Sequence, residues 1–316
     1  MAVKKIIAVL GATGAQGGGL VHAILNDKQG EFIPRVLTRN VNSDKAKQLK
    51  EKGAEVVDAD IDNLESLKSA FAGAYAVFAV TFFWDHFSAE KEINQASLIA
   101  RAAKEADVKH IIWSTLEDTR NWVPLDDSRM PTLHNKYKVP HFDGKGEANK
   151  IFTKLGLPVT FLLTSFYWDN FIYFGLGPKK INNNTFAVTL PMGDKKLPGI
   201  AAEDIGKCAY GIFKKGNEFI GKTVGIAGDH LTGNEMANEM GKAMGINVTY
   251  NSVPFDVYRS FGFPGADDMG NMFQFKHDFE EYFCGARNLE FSKSINPELK
   301  SFNKWLQENK ERIPLQ

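Results

Sequence analysis

A glycine-rich turn between an apolar strand and an apolar helix is the feature that most constrains the fold of this chain. The run Ile6-Ile7-Ala8-Val9 leads into the turn, and Leu20 to Leu25 continues as a helix. Glycine lets the backbone hold positive φ and approach a ligand, and a helix that begins directly after such a turn offers unpaired N–H groups to an anion. The pattern therefore predicts a pyrophosphate site, with a turn that binds nothing as the alternative. The candidate cofactor-binding residues of the turn are Gly11, Thr13, Gly14, Ala15, Gln16 and Gly17.

Apolar, β-branched segments alternate with helical patterns through the first half of the chain. The predicted strands after the first are 32–38, 54–57, 76–80, 108–113 and 157–163, and the predicted helices between them are 43–52, 63–71, 88–106 and 141–155. This alternation is typical of a parallel sheet covered on both faces. We expect an α/β fold with a Rossmann-type doubly wound parallel sheet over residues 1–163. A smaller α/β domain follows over residues 164–316, and some of its elements are expected to return to the first sheet.

Residues 115–139 lose this periodicity and contain several prolines. A long loop over the carboxyl ends of the strands is predicted there, where ligands of such folds bind. The loop is a candidate lid.

Charge and cysteine content exclude several classes of function. Lys plus Arg and Asp plus Glu both number 38, so the formal net charge is zero and no electrostatic footprint for nucleic acid is present. Cys208 and Cys284 are the only cysteines, and no His, Cys and carboxylate cluster suggests a metal. No apolar run is long enough for a membrane span. We expect a cytoplasmic protein with no metal, no membrane contact and no direct contact with nucleic acid.

Arg39 follows the second predicted strand, at the position where dinucleotide folds select their cofactor. An acidic residue here binds the ribose 2′-hydroxyl of NAD, whereas guanidinium matches the 2′-phosphate of NADP. The arginine predicts NADP(H), with a solvated surface side chain as the alternative. Asp60 and Ile61 follow the third strand and are candidates for the adenine end of the cofactor, although capping of the next helix explains Asp60 equally well.

The fourth and fifth strands also end in candidate site residues. Thr81 and Phe82 follow the fourth strand and would place a hydroxyl and an aromatic surface beside the cofactor, or they cover the sheet edge. Thr115 ends the fifth strand and is a weak catalytic candidate, because a hydroxyl there can polarise a carbonyl.

His141 and Lys145 are spaced to share one face of the helix before the sixth strand. His141 is a weak candidate for a proton donor, and packing at the helix start is the alternative. Tyr137 lies one turn earlier, but Pro140 should end any helix that connects it to Lys145.

Several of these segments together resemble the NmrA-like family of atypical short-chain dehydrogenases/reductases. The resemblance rests on the glycine turn, Arg39, the phrase His-Phe-Asp-Gly-Lys-Gly-Glu at 141–147, and the phrases at 263–267 and 271–273. It implies a Rossmann fold with a small α/β domain and NADP(H) binding. It also implies a cytoplasmic or nuclear location and a regulatory role through a protein partner, with a homodimer possible.

The resemblance also assigns roles near the nicotinamide. Lys145 would hold the nicotinamide ribose, and Ser165 and Tyr167 belong to the segment that passes the nicotinamide in the family. The dehydrogenase mechanism needs a tyrosine four residues before that lysine, and position 141 is histidine. Two hypotheses follow: an NADP(H)-binding redox sensor with little or no dehydrogenase activity, or an NADPH-dependent reductase of quinones or related carbonyl compounds.

Overall fold

The structure is a computed structural model, and it describes residues 4–315. Its strands, in chain order, are β1 (Lys5–Val9), β2 (Phe32–Thr38), β3 (Glu55–Asp58), β4 (Ala76–Ala79), β5 (His110–Thr115), β6 (Val159–Leu163), β7 (Phe166–Tyr167), β8 (Lys179–Asn182), β9 (Thr185–Leu190), β10 (Lys196–Ile200), β11 (Thr223–Gly225), β12 (Asp229–Thr232) and β13 (Asn247–Ser252). Its helices are α1 (Ala15–Asn26), α2 (Asp44–Glu51), α3 (Leu64–Phe71), α4 (Ala89–Glu105), α5 (Pro140–Lys154), α6 (Asn170–Tyr173), α7 (Ala202–Lys214), α8 (Gly233–Met244), α9 (Phe255–Arg259), α10 (Ala266–Asp278), α11 (Glu280–Gly285), α12 (Leu289–Ile295) and α13 (Phe302–Asn309).

The main sheet has the strand order β11-β6-β5-β4-β1-β2-β3, and the pairs from β3 through β6 are parallel. The order of its first six strands is that of the Rossmann fold, which confirms the predicted fold class. The strand order reverses between β1 and β4, and ligands of such sheets bind at the carboxyl ends of the strands at this switch point. The glycine turn follows β1 and therefore lies there.

Polar side chains at the starts of several helices fix where those helices begin. Ser43, Asn63 and Ser88 each accept a hydrogen bond from a backbone N–H in the first turn of α2, α3 and α4. A polar side chain at this position satisfies a donor that the helix itself leaves unpaired. The apolar faces of α3, α4 and α5 pack with alternate residues of β1, β4 and β5 into one buried core.

Contacts between Cα atoms divide the chain into two compact units. The first comprises residues 1–118, 141–164 and 203–224, and the second comprises 119–140, 165–202 and 225–316. The first unit thus contains α7 from residue 203 onward and most of β11, and β11 lies beside β6 in the main sheet. The second contains two three-stranded sheets, β12-β10-β7 and β13-β9-β8, with helices α6 and α8 to α13. The division of the chain at residues 163 and 164 stays a prediction.

The candidate lid belongs to the second unit from residue 119 onward and is held there by side chains of α10. Asn271 donates its amide hydrogens to the backbone oxygens of Pro131, at 2.9 Å, and Lys138, at 2.5 Å. Gln274 donates to the oxygen of Arg129 at 2.8 Å. These contacts anchor the backbone of 129–138.

No helix in the described part of the chain is long and apolar enough to cross a membrane.

Candidate functional site

The glycine turn has the geometry of a close-approach backbone site. Gly11 has φ of +62°, and a Cβ on it would lie 2.9 Å from Cγ1 of Val80. A Cβ on Gly17 would lie 2.5 Å from the backbone oxygen of Gly11. Gly14 is the N-cap of α1 and has no side chain that could cap the helix, and no acidic residue lies in the first turn of α1. Because Gly11, Gly14 and Ala15 are exposed, the positive end of α1 faces solvent.

Two side-chain contacts fix the turn to its neighbours in the first unit. Ser114 at the end of β5 donates its hydroxyl to Oε1 of Gln16 at 2.8 Å. Lys45 of α2 reaches the backbone oxygen of Thr13 with its Nζ at 3.4 Å. The turn therefore has a cation beside it that sequence reasoning did not single out.

Arg39 lies beyond the end of β2 and is exposed. Across residues 4–315 no carboxylate forms an ion pair with it. Its guanidinium is thus available to an anion from solvent. Asp60, by contrast, is used in a local turn, because its Oδ1 accepts the backbone N–H of Asp62 at 3.0 Å. Ile61 packs half-buried against the main core.

Lys145 and Thr81 are brought together at the carboxyl ends of the strands. Nζ of Lys145 lies 2.6 Å from Oγ1 of Thr81 and 3.1 Å from its backbone oxygen. It also forms an ion pair with Oε1 of Glu92 at 3.0 Å, and Glu92 is only 1% exposed. Glu92 was missed by sequence reasoning.

Glycines on both sides of Lys145 set how closely α5 packs. A Cβ on Gly144 would lie 3.1 Å from Cα of Ala89, the first residue of α4. A Cβ on Gly146 would lie 2.3 Å from the backbone nitrogen of Asp118. The small side chains let α5 approach α4 and the segment after β5 closely enough for Lys145 to reach Glu92.

An aromatic turn, which we define as residues 82–87, follows Thr81. Phe82 is 57% exposed and Phe87 is 40% exposed, and Phe87 holds φ of +54°, which is uncommon for a residue with a side chain. Trp84 is half-buried, and its ring centroid lies 5.8 Å from that of Phe87 and 4.9 Å from that of His141. The turn therefore presents aromatic surface to solvent directly after the residue that binds Lys145.

The remaining candidates are largely buried. His141 is 6% exposed, with its ring also 5.8 Å from that of Phe83. Thr115 has no exposed surface, and its hydroxyl lies 2.8 Å from Oδ1 of Asn149 on α5. Ser165 and Tyr167 lie in the second unit, where the Ser165 hydroxyl donates to the backbone oxygen of Ile226 at 2.9 Å.

His86 is the histidine of the aromatic turn. Its Nδ1 accepts the backbone N–H of Ser88 at 3.1 Å, and its Nε2 is buried with no hydrogen-bond partner within the described residues. Burial lowers the pKa of His86, and the negative charge of Glu92 opposes that effect.

Among residues 4–315, no three His, Cys, Asp or Glu side chains are grouped to hold a metal ion.

Comparison with known proteins identifies the family. A model of the NmrA-like family matches residues 3–306 of the chain. The chain belongs to the NmrA-like family. The resemblance drawn from the glycine turn and the 141–147 phrase is thereby confirmed.

Individual relatives include an oxidoreductase, a regulator and a reductase. The NmrA-like family domain-containing oxidoreductase malD of Malbranchea aurantiaca is 28% identical over 259 residues, which are 78% of this chain and 75% of that protein. The negative transcriptional regulator NmrA in complex with NADP has a TM-score of 0.76 at 21% identity, over 97% of this chain and 95% of that one. The same regulator in complex with NAD gives 0.79 at 22% identity with the same coverage.

The triphenylmethane reductase of Citrobacter sp., complexed with NADP(H), has a TM-score of 0.73 at 22% identity. The match covers 96% of this chain and 99% of that chain. At these identities the solved structures show that the fold is shared.

Glu92 carries a signal in the sequence that a closer reading could have used. The buried stripe of α4 includes Ala89, Ala96, Ile99 and Ala103, and Glu92 falls on the same helical spacing. A carboxylate on the apolar face of a helix needs a buried partner. Lys145 is that partner.

Proposed function

We propose that this family member binds NADP(H) in its first unit and responds to the redox state of that cofactor. The observation that carries the proposal is the exposed glycine turn at the positive end of α1, where Gly11 holds positive φ and a Cβ on Gly17 would overlap the backbone oxygen of Gly11. Backbone N–H groups in the first turn of α1 fit a pyrophosphate, and Arg39, free of any carboxylate in the described structure, fits the 2′-phosphate. When bound, the cofactor supplies a hydride or accepts one.

A regulatory output is favoured over turnover by the residue at position 141. The ring of His141 packs against those of Trp84 and Phe83, and its side chain is almost fully buried. The lysine of the dehydrogenase pair is present as Lys145, but position 141 of α5 is histidine, so the tyrosine hydroxyl that normally delivers the proton is absent there. We extend the proposal to a protein partner or a homodimer that reads the bound form, in the cytoplasm or the nucleus.

Calorimetry with NADP, NADPH, NAD and NADH tests the cofactor assignment. We expect Arg39→Ala to weaken NADPH binding by about tenfold to a hundredfold and to leave NADH binding unchanged, because a hydrogen bond to a charged group contributes about 1.5–3 kcal/mol. Arg101→Ala is the matched control, since Arg101 is an exposed arginine on α4. Equal affinities of the unmodified chain for NAD and NADP would refute the 2′-phosphate assignment.

Hydrogen exchange of the NADP and NADPH complexes tests the sensing role. A ligand shifts a conformational equilibrium only if it binds the two conformations of the protein with different affinities. NADP and NADPH must therefore differ in this preference if the protein senses the redox state. We expect protected segments to differ between the two complexes. Identical protection in both would leave no signal for a partner to read and would contradict the sensor.

The aromatic turn favours a second candidate function, reduction of a planar aromatic acceptor such as a quinone. Exposed rings at Phe82 and Phe87 offer stacking surfaces beside Thr81, and the backbone of Phe87 is held in the left-handed region. We would then expect NADPH oxidation with a quinone panel, a severalfold higher KM in Phe82→Ala, and no activity in Lys145→Ala. Phe174→Ala is the control, because Phe174 is an exposed phenylalanine of the second unit. Absence of acceptor-dependent oxidation would eliminate this candidate.

A further inference from the structure

The ammonium group of Lys145 has three hydrogens, and three acceptors surround it. They are the hydroxyl oxygen of Thr81 at 2.6 Å, Oε1 of Glu92 at 3.0 Å and the backbone oxygen of Thr81 at 3.1 Å. Lys145 in this state has no hydrogen left for a further acceptor. A ribose hydroxyl therefore reaches this ammonium only by replacing one of the three contacts.

The contact with Glu92 is the one that is hardest to replace. Glu92 is 1% exposed, and the side chain of Lys145 is 12% exposed. Separating a buried ion pair leaves an uncompensated charge, whereas exchanging one neutral hydroxyl acceptor for another restores an equivalent hydrogen bond. Cofactor hydroxyls should therefore take the place of the Thr81 contacts, with the Glu92 contact retained.

The position of Glu92 at the start of α4 and its burial fix the direction of its side chain. It lies in the first turn of α4, where the helix dipole stabilises a carboxylate. Its Oε2 is buried and has no hydrogen-bond partner among the described residues. Gly144 and Gly146 permit the close packing of α5 that places the ammonium beside this carboxylate.

We propose that Glu92 is a positioning residue that acts on the nicotinamide ribose through Lys145. This inference rests on the proposed cofactor binding. Glu92 holds one N–H of the ammonium and thereby directs the other two toward Thr81 in the free protein and toward the ribose hydroxyls in the complex. A purely structural ion pair would stabilise the fold without affecting cofactor affinity.

A double-mutant cycle on NADPH affinity tests this role. Calorimetry is run on the full chain, Glu92→Gln, Lys145→Met and the double variant. We expect Glu92→Gln to weaken NADPH binding about tenfold, Lys145→Met to weaken it at least as much, and the double variant to bind no more weakly than Lys145→Met. Glu90→Gln is the matched control, because Glu90 is an exposed carboxylate in the same helical turn.

Thermal unfolding of each variant separates binding from folding. If Glu92→Gln is destabilised but binds NADPH with wild-type affinity, the ion pair is purely structural and the proposal is overturned. Fully additive losses of NADPH binding free energy in the double variant would also overturn it. If Glu92→Gln does not fold, Glu92→Asp keeps the charge with a shorter reach and should lose affinity by a smaller factor; unchanged affinity there also overturns the proposal. If the unmodified chain binds no nicotinamide nucleotide, it is the proposed function that fails.

Discussion

His110, the first residue of β5, illustrates how a single buried group ties stability to pH. Its Nε2 lies 2.8 Å from the Thr160 hydroxyl, which donates its only hydrogen to the backbone oxygen of Phe219. Nε2 must therefore carry the proton, and Nδ1 is buried with no partner in the described structure. Burial lowers the pKa of His110 to about 4. The folded state thus requires the neutral ring.

The sign of the resulting pH dependence follows from linkage. The unfolded chain binds a proton at His110 below a pKa of about 6.5 and the folded chain only near 4, so this stability is complete above pH 6.5 and is lost as the pH falls toward 4. Between pH 7 and pH 5 we expect the free energy of unfolding to fall by about 2 kcal/mol from this group. Urea unfolding at both pH values checks the value. His110→Gln should show a smaller fall, and an equal fall in both chains would contradict the assignment.

Single residues also show what the sequence could and could not predict at the site. Arg39 and the glycines of the first turn could be proposed as site residues from the sequence, because each has a conformational or chemical reason at a fixed place after a strand. Lys145 could be proposed as a site residue from its phrase, whereas its partner Glu92 lies on a different helix, in a run of alternating charges that is typical of a solvated surface. Partnership between distant residues is set by packing, which local patterns do not encode.

At the scale of elements, the approach of α1 to α7 depends on glycine at the contact. A Cβ on Gly19 would lie 2.1 Å from the backbone oxygen of Glu203, and one on Gly206 would lie 2.0 Å from the backbone nitrogen of Leu20. Gly18, the neighbour in the same helix, would place its Cβ at an ordinary 3.4 Å from the backbone oxygen of Ala12. Close packing against α7 therefore requires glycine at position 19 but not at the adjacent position 18.

Alanine substitutions at these two glycines should change stability in opposite directions. Gly18→Ala should raise the free energy of unfolding by up to about 1 kcal/mol, because alanine loses less backbone entropy in a helix. Gly19→Ala should lower it by about 1–3 kcal/mol, because the methyl group overlaps backbone that has to move. Chemical denaturation of both variants makes the comparison. If Gly19→Ala instead raises the free energy of unfolding, α1 and α7 can move apart without loss of stability, and the prediction is wrong.

Helix starts were predicted well and long-range strand pairing was not. The caps at Ser43, Asn63 and Ser88 are local signals, since a side chain satisfies the backbone of its own helix, and each lies at the first residue of a predicted helix. β11 has three residues, too few for a periodic pattern, and its place beside β6 depends on contacts across the chain. The sequence could therefore state only that some later element would return to the sheet.

At the scale of the whole molecule, the two units alternate along the chain. The chain changes unit after residues 118, 140, 164, 202 and 224. Residues 1–163 thus omit two parts of the first unit, α7 and β11. Without them the small-residue face of α1 at Gly19 loses its partner, and β6 becomes an edge strand with unpaired backbone groups.

This alternation predicts how fragments of the chain behave. A fragment of residues 1–163 should fail to unfold cooperatively and should aggregate through its exposed β6 edge, whereas a fragment of residues 1–224, which restores α7 and most of β11, should recover a cooperative thermal transition. Near-ultraviolet circular dichroism during heating measures this, with the full chain as reference. A cooperative thermal transition of the 1–163 fragment alone would mean that α1 is stable without α7 and β6 is stable without β11. The Rossmann half would then be an independent domain that ends at residue 163, and NADPH binding to that fragment would locate the cofactor site within it.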